Sequence, residues 1–271
     1  MNKKLLSGII ATTTVFTGTM AIAAPANASI LDKNDSVWSQ TSNVQDRSTD
    51  TSGFQSIVND FQKFVQQERL EIPDNKLRKI DPNKLTLKND YDVRAWFINE
   101  GAAHKNQLAY ETTKDGQTTG KGMIFNNISC IADCELSNPD DGVLNIGDYV
   151  DIGTVLKGEK LNFSLKANGY NNPNGHVFGA PDQDNPDGLA HTVSYLYRDK
   201  DSGKDYVMIG FEDIFGPKEN GSDRDFNDAV FVVDLGNGNV AGVPEPATAT
   251  AVLGVGALGA LAGRRRKKKS A

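Results

Sequence analysis

Tyr206-Val207-Met208-Ile209-Gly210-Phe211-Glu212-Asp213-Ile214-Phe215-Gly216-Pro217-Lys218-Glu219-Asn220-Gly221-Ser222-Asp223-Arg224-Asp225-Phe226-Asn227-Asp228-Ala229-Val230-Phe231-Val232-Val233-Asp234 is the stretch that decides the fold. It opens and closes on short β-branched and aromatic runs, too short for stable helices, which read as two buried strands. The Gly/Pro/Asn-rich connection between them carries Glu212, Asp213, Glu219, Asp223, Asp225 and Asp228 together with Asn227, against only Lys218 and Arg224. Carboxylates crowded at strand ends repel one another and lose solvation unless something neutralises them. Ca²⁺, which accepts many oxygen ligands in flexible geometry, does so well. The competing reading is a solvated acidic loop closed by Asx turns. The expected ligands are Glu212, Asp213, Asp223, Asp225, Asn227 and Asp228. Oxygen donors at 223, 225 and 227 have the alternation of a calcium loop but lack the Gly and the distal Glu of an EF-hand.

Outward from this stretch the same period of two continues. Strands are expected at Leu85–Leu87, Val93–Asn99, Gln107–Thr112, Gly122–Phe125, Tyr149–Val155, Lys160–Ala167, His191–Tyr197, Tyr206–Phe211 and Val230–Asp234. Asx-Gly turns punctuate them at Asp115-Gly116, Asp141-Gly142, Asn168-Gly169 and Asp187-Gly188. Many short strands joined this way predict a mostly β protein, an antiparallel sandwich or jelly-roll-like domain over residues 85–236. Before it, Phe54, Ile57, Val58, Phe61, Phe64 and Val65 recur at helical spacing. They predict an amphipathic helix over Gly53–Leu70 with Ser52 as N-cap, in a helix-and-linker segment of residues 53–84. Residues 29–52 are polar and are expected to be a flexible leader.

The chain has 271 residues and a formal charge of −6. Its ends look like sorting segments. Lys3-Lys4, an apolar run from Leu5 to Ile22 and Ala26-Asn27-Ala28 make a signal peptide over residues 1–28, with cleavage expected after Ala28. At the other end a linker and tail span residues 237–271. There Pro244-Glu245-Pro246 precedes Ala247–Ala262, an apolar stretch of marginal length for spanning a bilayer, and then Arg264–Lys269. Without residues 1–28 and 244–271 the chain keeps 21 basic against 34 acidic residues, a charge of −13. A domain so acidic repels nucleic acid, so no nucleic-acid partner is expected.

The tail resembles the PEP-CTERM sorting signal of exporting bacteria. That resemblance implies recognition of Pro244, Glu245 and Pro246 by an exosortase-type processing enzyme, transient membrane insertion of residues 247–262, and delivery to the cell envelope or extracellular matrix. Such tails occur in bacteria that make exopolysaccharide; a permanent tail anchor is the competing reading. The central domain is similar to DUF4114, a family of exported domains of unknown function. The residues that carry the likeness are Gly210-Phe211-Glu212-Asp213 and Asp223–Phe231, with Tyr91–Ala102 and Asn106–Tyr110 upstream. This resemblance speaks to fold and location and adds weight to a calcium site.

Cys130 and Cys134 stand close in a loop, and in an exported protein a structural disulfide is the expectation. A zinc site would need further ligands, and His104, His176 and His191 are not spaced to supply them. An enzyme would have to use the same acids, Glu212 with Asp213 or Glu100 with Asp228, as a glycoside hydrolase pair. No Gly-x-Ser-x-Gly, His-Glu-x-x-His or phosphate-binding loop is present, and no enzymatic activity is expected. A carbohydrate-binding module is the alternative, with Trp96, Tyr110, Tyr170, Tyr195 and Tyr197 as stacking faces. The reading is an exported, non-enzymatic, calcium-stabilised β-sandwich that meets extracellular polysaccharide or surface proteins.

Overall fold

A computed structural model describes residues 30–65, 77–134, 137 and 139–242. The signal peptide and the sorting tail expected above, Pro244-Glu245-Pro246 included, lie outside the described residues. Among the described residues ten strands build two antiparallel sheets: β1 Arg78–Ile80, β2 Tyr91–Asn99, β3 Asn106–Lys114, β4 Gln117–Ile128, β5 Tyr149–Val155, β6 Lys160–Lys166, β7 Val177–Gly179, β8 Thr192–Arg198, β9 Asp205–Phe211 and β10 Ala229–Asp234. One sheet has the order β1-β8-β9-β10-β2-β5 and the other β4-β3-β6-β7. The chain is therefore mostly β, as its alternation predicts.

Alternation sorts each strand's side chains between the two faces. Phe97 of β2 meets Phe125 of β4 (ring centroids 6.1 Å apart), and Phe163 of β6 meets Phe231 of β10 (5.0 Å), so these rings fill the space between the sheets. Trp96 and Tyr206 point to the opposite face of the larger sheet. The hairpin between β3 and β4 turns on Asp115 (φ 51°) and Gly116 (φ 77°). Two left-handed residues in succession match the right-handed twist of the flanking strands, which is why an Asp-Gly pair is placed there.

The expected strand at Leu85–Leu87 is not one. Its backbone groups are shared between two partners: Leu87 N donates to Glu159 O and Leu85 O accepts from Leu161 N of β6, while Thr86 O accepts from Ala241 N. β1 and β7 are additional, each only three residues long and so too short to display a period.

The helix is shorter than the spacing suggests. A 3₁₀ turn at Phe54–Ser56, whose Phe54 amide donates to Ser52 Oγ at 3.1 Å, leads into α1, Val58–Gln62. Residues 66–70 lie outside the described residues. The apolar stripe nevertheless does what its spacing implies. Phe54 stacks on Trp96 at 4.2 Å and Phe61 packs on Tyr197 at 4.7 Å, closing the outer face of the larger sheet.

Residues 30–52 differ from the loose leader expected of their composition. Ile30, Val37 and Trp38 are buried with Ala109, Met123 and Val177 on the outer face of the smaller sheet. The segment then crosses to the larger sheet, where Gln45 bridges to Tyr149. Asp50 there accepts bonds from Trp96 Nε1 at 2.8 Å and Arg94 Nη1 at 2.8 Å. A few apolar anchors and paired polar groups order this strap, and composition does not register either. Among the described residues no helix is long and apolar enough to cross a membrane.

Candidate metal centre

Ala229 pairs with Phe211, so the β9–β10 ladder ends there, and the acidic connection from Glu212 to Asp228 springs from its mouth. The start of β8 holds the base of this loop. Glu212 N donates to His191 O at 3.0 Å, and Glu212 O lies 2.8 Å from His191 Nδ1. The imidazole is fully buried, stacked 3.7 Å from the Phe178 ring, with Nε2 2.9 Å from Asp187 Oδ2. Asp187 also accepts from Gly216 N at 2.8 Å, which ties the loop back to the β7–β8 connection. Asp187 is thus spent on structure, and Asp182 and Asp184 of the same connection lie in a 3₁₀ turn.

Above this base the Glu212, Asp223 and Asp225 carboxylates converge, each offering an oxygen within 4.8 Å of the others. Arg224 (φ 59°) and Phe226 (φ 62°) are both left-handed, a conformation that costs a bulky side chain on the order of 1–3 kcal/mol. These turns alternate with the acidic residues and bring Asp223 and Asp225 toward the same point. Glu212 accepts Arg224 N at 2.9 Å and Ile214 N at 3.3 Å, and Asp225 accepts Asn227 N at 3.1 Å. The Arg224 guanidinium donates to Ala190 O and lies over the Phe226 ring. Burial raises the pKa of Glu212, and the charges of Asp223 and Asp213 push it the same way.

The other three expected ligands are placed differently. The Asp213 side chain is engaged elsewhere, at the start of β3. It accepts Asn106 Nδ2 at 2.7 Å and stands 3.3 Å from His104 Nδ1. Asp228 accepts Asp213 N at 2.7 Å. Its pKa is pushed up to about 10 by burial and then by the negative charges of Asp213 and Glu212. Asn227 is pressed against Gly101, where an added Cβ would come within 2.3 Å of its Oδ1. Six candidates thus divide into a cluster of three and a supporting layer. His104, Asn106, Asp187 and His191 are the supporting residues that spacing alone does not reveal, since they come from the β2–β3 connection, β3 and the β7–β8 connection, far from the loop in sequence.

The chain matches two family models. Residues 155–236 match the domain of unknown function DUF4114, and residues 242–267 match the PEP-CTERM protein-sorting motif. No curated protein and no solved structure matches the chain. The DUF4114 match covers β6 to β10 and every residue of the acidic loop, whereas Tyr91–Tyr110 lies outside the matched residues. The PEP-CTERM motif marks an exported protein whose tail is recognised by an exosortase-type enzyme. Such a protein is processed and then attached to the cell envelope or released.

Two further features complete the inventory. Cys130 and Cys134 are joined by a disulfide, and Cys130 N donates to Glu100 Oε2 at 2.5 Å. Burial raises the Glu100 carboxyl to about 7 despite that bond. Of the five candidate stacking aromatics, Trp96 and Tyr195 are buried and Tyr110 and Tyr197 half-buried; Tyr170 is exposed.

Proposed function

We propose that this exported domain is a non-enzymatic interaction module whose acidic loop binds Ca²⁺ through Glu212, Asp223 and Asp225. The observation that carries the reading is their convergence. Three carboxylates from two ends of one long loop meet at one point, two of them almost wholly buried. Hard oxygen donors of this kind suit Ca²⁺, with backbone carbonyls or water completing a shell of six to eight. Asp213, Asp228 and Asn227 act from behind, fixing the loop against β2 and β3. The cation would hold the Asp223–Asp225 turn against the end of β9 and order the exposed loop around Phe215. That surface would then meet extracellular polysaccharide or a surface protein.

Two features favour this over a glycoside hydrolase. Glu212 and Asp213 diverge, and the Glu100 carboxylate is occupied with the Cys130 amide. Burial of Trp96 and Tyr195 likewise removes the broadest stacking faces from a carbohydrate-binding surface. The test is thermal unfolding of residues 29–243 in millimolar CaCl₂ and in chelator. Calcium at ten to a hundred times its Kd should stabilise by about 1.4–2.7 kcal/mol, and an unchanged midpoint would sink the proposal.

A further inference from the structure

Three polar groups meet on the outer face of the smaller sheet, remote from the acidic loop. Glu111 of β3 and Lys121 of β4 are directly opposed in the ladder, so their side chains leave the same face from Cβ atoms roughly 5 Å apart. Across them lies the strap. Lys121 Nζ stands 2.6 Å from Asp35 Oδ2, and Asp35 Oδ1 accepts Val37 N at 2.8 Å, which holds the carboxyl in place. The Asp35 side chain is 2% exposed and that of Lys121 30%. The next rung on this face is Ala109 opposite Met123, which packs with Ile30, Val37, Trp38 and Val177 as a separate apolar cluster. Glu111 is itself buried and accepts Thr118 Oγ1 at 2.7 Å. Burial is the largest cause raising its pKa, and the charges of Lys121 and Asp35 both act on it.

An amine held against a dry carboxyl, beside a second carboxyl biased towards its neutral form, is a set of groups equipped for amide formation. We propose that Lys121 and Asp35 condense into an intramolecular isopeptide bond, with Glu111 carrying the proton. In this contact, dry on the Asp35 side, the Lys121 ammonium passes a proton to the Asp35 carboxylate, giving amine and acid. Nζ then attacks Cγ of Asp35. Glu111 protonates the departing hydroxyl and recovers a proton from Nζ. One Nζ–Cγ bond forms, one Cγ–O bond breaks, and water leaves; nothing is oxidised or reduced. The product is an amide where an ion pair stood, and it fastens the strap to the sheet it covers. A protein that works outside the cell, beyond the reach of chaperones, gains a closure that thermal opening cannot undo.

The bond is read by peptide mapping of the folded full-length chain. Tryptic digestion should yield a branched peptide joining the Asp35 and Lys121 segments, lighter by one water than their sum and uncut after Lys121. Lys121→Arg, which keeps the ion pair but cannot condense, and Glu111→Gln, which keeps a hydrogen-bond acceptor, should both yield separate peptides at full mass. Separate, unmodified Asp35 and Lys121 peptides from the folded wild-type chain would overturn the proposal. So would water loss confined to the Asp35 peptide, which signals cyclisation onto its own backbone. A branched peptide that persists in Glu111→Gln would overturn the role given to Glu111. Because Lys121→Arg retains the charge pair, it serves as the control should Glu111→Gln fail to fold.

Discussion

Asp225→Asn separates a calcium ligand from an ordinary loop residue because its effect on stability should depend on the metal. Asparagine is isosteric and can still accept the Asn227 amide that Asp225 Oδ1 accepts at 3.1 Å, so the turn is preserved. What it removes is one negative charge from a cluster whose oxygens lie within 4.8 Å. Two unit charges at that distance repel by about 1–3 kcal/mol as the effective dielectric falls from 80 to 20. One such pair is counted, with Asp223, because burial already favours the neutral form of Glu212. In chelator the variant should therefore be more stable than wild type by about 1–3 kcal/mol, a rise in midpoint of about 2–12 °C for a domain of this size. In calcium that lead should shrink by about 1.4–2.7 kcal/mol, which the wild type gains and the variant cannot match. The assay is thermal unfolding of both proteins in each buffer, followed by circular dichroism. Curves with the same separation in both buffers, or an equal loss in both, would refute the reasoning.

Other sites give independent checks. Phe54→Ala removes a fully buried ring stacked on Trp96 and should cost about 3–5 kcal/mol, lowering the midpoint by about 6–20 °C; a loss under one degree would mean that the 3₁₀ turn ahead of α1 does not close the sheet. Glu100 has its carboxyl raised to about 7, so its contribution is fully present below the ordinary value of about 4.5 and is lost as pH climbs through 7. Discounted for solvent screening, the wild type should lose about 1–2 kcal/mol across that window. Denaturant titrations should find Glu100→Gln more stable than wild type at pH 8 and equal at pH 4; no difference at pH 8 would contradict the burial argument. Replacing both Cys130 and Cys134 with serine opens a very short loop and should cost about 2 kcal/mol on the chain-entropy estimate, measured in the same titration; a loss of 4 kcal/mol or more would show that the disulfide also holds the Glu100 contact.

Strand positions were legible because a half-buried strand writes its period into every second residue, and an Asp-Gly turn writes its backbone into two. Leu85–Leu87 misled for a physical reason: its two leucines are buried, but by bonding to two separate segments rather than one neighbour. The acidic loop shows the same contrast at finer grain. Asp223 and Asp225 share a direction because a single left-handed residue separates them. Glu212 and Asp213 do not: Glu212 accepts the Arg224 amide, whereas Asp213 accepts Asn106 Nδ2. No such rule finds His191 or Asn106, which arrive from the end of the β7–β8 connection and from β3.

The strap is the hardest part to read and the most consequential. Its partners are distant in sequence: Asp35 meets Lys121, Gln45 meets Tyr149 and Asp50 meets Trp96. These segments leave the membrane first if the chain is threaded from its N-terminus. Yet each docks on a face that exists only after later strands have paired. Contacts of such sequence separation form slowly, because loop closure must precede the stabilisation they bring. The smaller sheet in particular needs β3, β4, β6 and β7 before Trp38 and Val37 have anything to cover. The segment nearest the N-terminus is therefore expected to dock last. The acidic loop, between the last two strands, would close at nearly the same stage, so both the proposed covalent lock and the proposed ion site act on a sandwich already assembled outside the cell.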